Sequence, residues 1–223
     1  MLNSKSWFVI DKDKIPGNIH VVGVGASGSR LVENLVRLNL ASKIIVYDMD
    51  EVEEKNLNNQ AYLREHIGQP KVVALQDLCL KIDSTNKIRT QKRKVEYLNT
   101  TSKDVVFLLV DSFESRIQIM KSLTGNPLVI TGGISSYGGN VEVARGENLK
   151  KLIAEYEALP PGGGEYDEND LTPCGSPISI YHRIGVVSSY MAEQMIESLE
   201  RGGDFGYSIS IDTPNLILMK HEI

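Results

Sequence analysis

Gly23, Gly25 and Gly28 stand as G-x-G-x-x-G directly after the apolar run Ile19-His20-Val21-Val22. In such a pattern Gly23 permits a tight strand-to-helix turn, and Gly25 lets the main chain approach a phosphate with no Cβ in the way. Ala26 and Ser27 complete the loop, Gly28 allows the following helix to pack close to the sheet, and the helix N-terminus offers N–H groups to an anion. Asp48 and Asp50 end a second apolar run, Ile44-Ile45-Val46-Tyr47, about 20 residues past Gly28, where a strand presents a carboxylate to a ribose hydroxyl. Taken alone, these residues point to an adenine nucleotide held at the end of a parallel sheet. Two further stretches, Asn56-Leu57-Asn58-Asn59-Gln60 and Gly68-Gln69-Pro70-Lys71, have no use in a plain dinucleotide-binding unit.

The elements that must position these residues are readable from periodicity. Strand-like runs at 19–23 and 43–48 flank a helix near 28–39, with Leu31, Leu35 and Leu38 on one face. A second helix begins near Pro70, a residue suited to a first turn, and carries Val72, Leu75, Cys79 and Ile82 on its core side. Next come a strand near 87–91, the buried run 105–110, a helix near 113–124 and a strand at 127–131. Ile134 to Arg145 reads as an antiparallel extension interrupted at Tyr137-Gly138-Gly139. A helix around 179–201 with Ile184, Val187, Met191, Met195 and Leu199 along one face precedes a closing hairpin, 207–211 with 216–219. The alternation predicts an α/β fold: a Rossmann-like, doubly wound, mainly parallel sheet with flanking helices and a C-terminal antiparallel extension.

Asp48-x-Asp50-x-Val52, Asn56-Leu57-x-x-Gln60 and Gly68-Gln69-Pro70-Lys71, in this order after the glycine loop, resemble the ThiF/MoeB/ubiquitin-activating adenylyltransferases. The resemblance runs from about residue 18 to the C-terminus and is densest between Gly23 and Lys71. It implies one ATP-binding adenylation domain over 1–223, acting with Mg²⁺ on the C-terminal carboxylate of a ubiquitin-like or sulfur-carrier protein. It further implies that Asp50 holds the ATP ribose with Asp48 beside it, that Asn56 lies near the phosphates, and that Lys71 neutralises them. Asp111, closing the run 105–110, resembles the aspartate that positions Mg²⁺. Attack of a carboxylate on the α-phosphate builds negative charge that a metal and a fixed cation stabilise, with no enzyme nucleophile required. A homodimer is also expected from the resemblance.

The chain departs from the family pattern at Asn-Leu-x-Arg-Gln, where Asn59 replaces the arginine that reaches the γ-phosphate. Asparagine brings a hydrogen-bond donor but no charge. A second family arginine, N-terminal to the glycine loop, has no counterpart in Met1–Gly17. Arg64 and Arg30 are the candidates to compensate. This departure motivates an alternative, a nucleotide-binding pseudoenzyme or partner subunit. An NAD-dependent oxidoreductase is a third reading, resting on the glycine loop and acids alone.

The remaining composition mainly excludes. The net charge of −5 argues against nucleic acid as a partner. No window approaches the ~18 uninterrupted apolar residues of a membrane span, and the N-terminus lacks a secretory pattern, so a soluble cytoplasmic protein is expected. Two cysteines, Cys79 and Cys174, cannot form a four-thiolate zinc site, and the four histidines show no ligand-type spacing, so zinc is not expected. Lys81, Lys87, Arg89, Lys92, Arg93 and Lys94 read as a solvated surface; one aromatic nearby, Tyr97, makes no stacking platform for bases. Residues 154–173, rich in acids, glycine and proline, read as a flexible loop in the position of the family's crossover loop. Cys174, with His182 eight residues on, resembles the family's thioester cysteine; a reactive and a structural role both remain open for it.

Overall fold

The computed structural model describes Ile15, residues 17–135, 137–159 and 181–223. Four short strands form the parallel half of one sheet: β1 Ile19–Val22, β2 Ile44–Asp48, β3 Arg89–Lys92 and β4 Val105–Leu108. β5, Leu128–Ser135, joins them in parallel and then begins the antiparallel half, followed by β6 Gly138–Ala144, β7 Gly206–Asp212 and β8 Ile217–Glu222. The order across the sheet is β3-β2-β1-β4-β5-β6-β7-β8. Both the doubly wound core and the antiparallel extension expected from sequence are present.

The two halves differ in pattern for a physical reason. β1 and β4 are buried along their whole length, as strands covered on both faces must be. β7 alternates, with Tyr207, Ile209 and Ile211 buried and Ser208, Ser210 and Asp212 less so, because helices cover one face more fully than the other. Helices α1 (Ala26–Arg37), α2 (Lys71–Ile82) and α5 (Tyr181–Arg201) bury Leu31, Leu35, Leu75, Cys79, Val187 and Met191 in the core on one side. Helices α3 (Phe113–Ser122) and α4 (Glu147–Ala158) close the other side with Ile119, Met120, Leu152 and Tyr156. Cys79 lies in the core as its spacing requires, and burial pushes its thiol up to about 12.

One boundary moves. Residues 154–158, expected within the acidic loop, belong to α4, where Leu149, Leu152 and Tyr156 form a buried stripe and Glu155 and Glu157 stay outside it. The helical spacing of those three residues outweighs the local acidity. The rest of that loop, from 160 to 173, lies outside the described residues, as does Cys174. Among the described residues, no helix is long and apolar enough to cross a membrane.

Candidate functional site

The sheet order sets the location. From β1 the chain moves outward to β2 and β3; from β4 it moves the opposite way to β5, so the direction of winding reverses between β1 and β4. A crevice opens beyond the carboxyl ends of neighbouring strands at such a reversal. The glycine loop follows β1 and Asp111 follows β4, so the two flank that point.

Gly23 has φ +91°, and a Cβ there would lie 2.6 Å from the Leu109 carbonyl oxygen. A Cβ on Gly28 would lie 2.0 Å from the Gly23 carbonyl oxygen. Gly25 is different: a Cβ built on it meets nothing within 4 Å. Its bare backbone therefore faces open space within an otherwise crowded turn. No side chain caps the N-terminus of α1, and its first turn carries no acid. Helix N–H groups left this way suit an anion.

Asp48 and Asp50 divide the work at the end of β2. The Asp48 carboxylate accepts the Val24 N–H with Oδ2 and the Asp50 N–H with Oδ1, both at 2.9 Å. Asp48 is thus a brace between β2 and the glycine loop, with both oxygens engaged in the fold. Asp50 is half exposed, and its Oδ2 lies 2.9 Å from Lys71 Nζ, whose side chain is only 9% exposed.

The two surplus motifs prove to be fastenings. Residues 50–52 pair with 68–71: Lys71 N–H donates to the Asp50 carbonyl (2.9 Å), Val52 N–H to that of Gln69 (2.9 Å), and Gly68 N–H to that of Val52 (2.8 Å). Gly68, at φ +82°, makes the reversal that returns the chain to Asp50. Gly68-Gln69-Pro70-Lys71 thereby starts α2 and places Lys71 against Asp50. Asn56 is buried in a short 3-10 turn, Glu54–Asn58, where its Oδ1 accepts the Glu53 N–H at 2.8 Å. Its carbonyl accepts the N–H groups of Asn59 and Gln60. Immediately after, Ala61 N–H donates to Ser29 Oγ (3.0 Å) and Tyr62 OH to the Val24 carbonyl (2.7 Å), drawing this turn onto the glycine loop. Burial first, then the nearby Asp48 charge, holds the Tyr62 phenol well above its usual range. Gln60 Oε1 is buried without a hydrogen-bond partner, an acceptor that a bound donor can satisfy.

Asp111 is exposed just past β4, next to Ser112, which caps α3 by accepting the Ser115 N–H at 3.2 Å. Ser27 offers its carbonyl to Ser188 Oγ of α5 at 3.1 Å. The two arginines considered as replacements for the family arginine are engaged elsewhere: Arg64 pairs with Glu54 at 3.3 Å, and Arg30 pairs with Glu33 and stacks 4.0 Å over the Tyr181 ring. Glu65, His66 and Asp77 converge although their spacing gave no hint of it. Lys81 already fills that cluster, bonded to Glu65 and 2.9 Å from Asp77. His66 takes the Leu63 N–H on Nδ1, so Nε2 carries the proton toward Asp77 and offers no lone pair. Sequence reasoning passed over Ser29 and Tyr62, residues of common types whose role appears only once the 56–62 turn is seen returning to the loop.

A sequence profile of the ThiF family matches residues 16–216, nearly the whole chain. The chain belongs to the ThiF family. Human ubiquitin-like modifier-activating enzyme 6 is 32% identical to this ThiF-family chain over 139 residues, 54% of the chain and 13% of that protein. Ubiquitin-like modifier-activating enzyme 5 of Bombyx mori is 28% identical over 220 residues, 87% of the chain and 54% of that protein. The chain thus spans about half or less of these curated relatives. Among solved structures, E. coli MccB with AMPCPP and MccA aligns at a TM-score of 0.66 and 14% identity, covering 99% of this chain and 72% of that one. PaaA aligns at a TM-score of 0.66 and 13% identity, covering 95% and 66%. At these identities the likeness is one of fold.

Proposed function

We propose that this ThiF-family protein is an ATP-dependent adenylyltransferase that activates the C-terminal carboxylate of a small partner, of the ubiquitin-like or sulfur-carrier kind. One observation carries the reading. Open backbone at Gly25, an uncapped helix N-terminus, the Asp50–Lys71 pair and an exposed Asp111 follow β1, β2 and β4, the strands at the reversal of the sheet order, where such folds take a ligand. The relatives' names as ubiquitin-like modifier-activating enzymes, and the AMPCPP and MccA in the MccB structure, support it.

In this reading the glycine loop and α1 receive the phosphates, and Asp50 turns to a ribose hydroxyl. Lys71, freed from Asp50, neutralises phosphate charge; Asn56 and Gln60 border the same side, with Asn59 replacing the usual arginine. The partner's carboxylate oxygen attacks the α-phosphorus, the bond to the bridging oxygen breaks, and pyrophosphate leaves with the electron pair. The product is a carboxyl–AMP anhydride. The exposed carboxylate of Asp111 fits a Mg²⁺ ion, which would supply charge to offset that developing as pyrophosphate departs. The protein would act as a homodimer, and Cys174, if it serves as a nucleophile, would attack the acyl carbon of the anhydride as a thiolate, forming a thioester as the bond to AMP breaks and AMP leaves. Pyrophosphate exchange into ATP, dependent on a cognate tail, tests the reaction. Its absence over a panel of small-protein tails, with ATP still bound, would remove the transfer from the reading.

Asn59 favours one second reading: a nucleotide-binding subunit whose catalytic arginine comes from elsewhere. Arg64 and Arg30 are both committed to acids. Asn59→Arg would then create or raise exchange. Full activity of the unaltered protein alone would dismiss this second reading.

A further inference from the structure

Arg116, on the first turn of α3, is a mostly buried guanidinium that nothing above employs. Its Nε donates to the Val110 carbonyl at 2.7 Å, and its Nη1 reaches Thr131 Oγ1 at 3.4 Å. Thr131, fully buried on β5, in turn donates its hydroxyl to the Leu108 carbonyl at 2.7 Å. Beside this group, Tyr156 OH donates to Glu142, and the Phe113 ring lies 5.4 Å from the guanidinium carbon.

The placement is specific. Leu108, opposite Thr131, is the last residue of β4 in the parallel ladder. Beyond it the Leu109 N–H still donates to the Val22 carbonyl of β1 at 2.8 Å, which leaves Val110 and Asp111 to run on to the Ser112 cap. At that point two side chains take over from the ladder, one on the Leu108 carbonyl and one on that of Val110. Burying a guanidinium is costly and is tolerated when its donors are placed. Here the donor goes to the main chain immediately before Asp111. Arginine suits the position because its rigid planar fork serves two acceptors in different directions, which a lysine ammonium does less well.

We infer that Arg116 is a positioning residue, acting with Thr131 to fix segment 108–111 so that Asp111 is presented rigidly to the crevice. It touches no substrate. What that rigidity serves, metal-dependent nucleotide binding, rests on the adenylation reading; the clamp itself does not.

The test uses the full chain with Arg116→Lys, Arg116→Met and Thr131→Val. Ile119→Val, a buried change on the same helix away from the clamp, controls for simple destabilisation. Hydrogen exchange in the absence of ligand should be at least about tenfold faster at 109–112 in the three variants, with α2 unchanged and Ile119→Val like the original. The ratio of ATP affinity with Mg²⁺ to that without should fall about tenfold in Arg116→Lys, as for loss of a residue supporting a metal ligand, and stay constant in Ile119→Val. If Arg116→Met does not fold, Arg116→Lys and Thr131→Val decide. Unchanged exchange at 109–112 in both overturns the inference. If the unaltered protein shows no metal-dependent ATP binding, the adenylation reading fails, and the exchange data still decide whether Arg116 is the clamp.

Discussion

Lys71 and Asp50 form an unequal pair, and the inequality can be measured. The Lys71 side chain is 9% exposed, whereas that of Asp50 is 54% exposed, with 2.9 Å between Nζ and Oδ2. Asp50→Asn removes the counter-charge and leaves a buried ammonium without an anion. A hydrogen bond to a charged group contributes about 1.5–3 kcal/mol, and the half-exposed carboxylate reduces this to about 1–2 kcal/mol of lost stability. Lys71→Met keeps the apolar stem in its packing and removes the buried charge, so its cost should stay within about 1 kcal/mol. Ligand binding should reverse the order. Lys71→Met loses the cation proposed to neutralise phosphates, so the preference for ATP over AMP should drop about tenfold or more, roughly 1.4 kcal/mol. Asp50→Asn, altering the proposed ribose contact, should weaken ATP and AMP alike. Urea unfolding and calorimetric titration of both variants read the two orders. Equal destabilisation by the two changes would refute the burial reasoning, and an unchanged ATP-over-AMP preference in Lys71→Met would remove Lys71 from the phosphates.

The glycines give a second contrast. Gly28→Ala forces a Cβ to within 2.0 Å of a backbone oxygen and should cost about 3 kcal/mol or more, as overpacking does, read as a lower urea midpoint. Gly25→Ala meets no protein atom within 4 Å and should change stability by less than about 1 kcal/mol while ATP affinity falls at least about tenfold. Full affinity in Gly25→Ala would place the phosphates elsewhere. A third expectation concerns pH. Burial pushes the His20 imidazole below its ordinary 6.5, with Asp104 opposing in part. The unfolded chain then takes up the proton first as pH falls through 6.5, so stability should decline from there down to the lowered folded value. The difference in unfolding free energy between about pH 7.5 and about pH 5.5 should shrink in His20→Gln, and an unchanged difference would discard the assignment.

Much of the fold was legible because its signals are local. The continuous apolar runs at Ile19–Val22 and Val105–Leu108 announce strands covered on both faces, and the stripe from Ile184 to Met195 announces the long helix. α4 was harder, since Glu155 and Glu157 mask the buried stripe to which Tyr156 belongs. At the candidate site the motif residues were legible, but their division of labour was not. Nothing in the string separates Asp48, a brace on Val24, from Asp50, a partner of Lys71, because the difference arises where the chain leaves β2 after Asp48 and the pairing of 50–52 with 68–71 sets Asp50 beside Lys71. The Arg116 clamp was invisible for a similar reason. It links a helix residue to a carbonyl six positions earlier and to Thr131 on the neighbouring strand, a geometry that only the β4–β5 pairing creates.

The central claim is that a metal-dependent ATP site lies between the glycine loop and Asp111. Calorimetric titration of the purified protein with Mg-ATP, set against NAD and against an Asp111→Ala variant, tests it directly. The expected result is ATP binding that requires the metal, is lost in Asp111→Ala and is not matched by NAD. Preferential binding of NAD, or ATP binding indifferent to both the metal and Asp111, would contradict it.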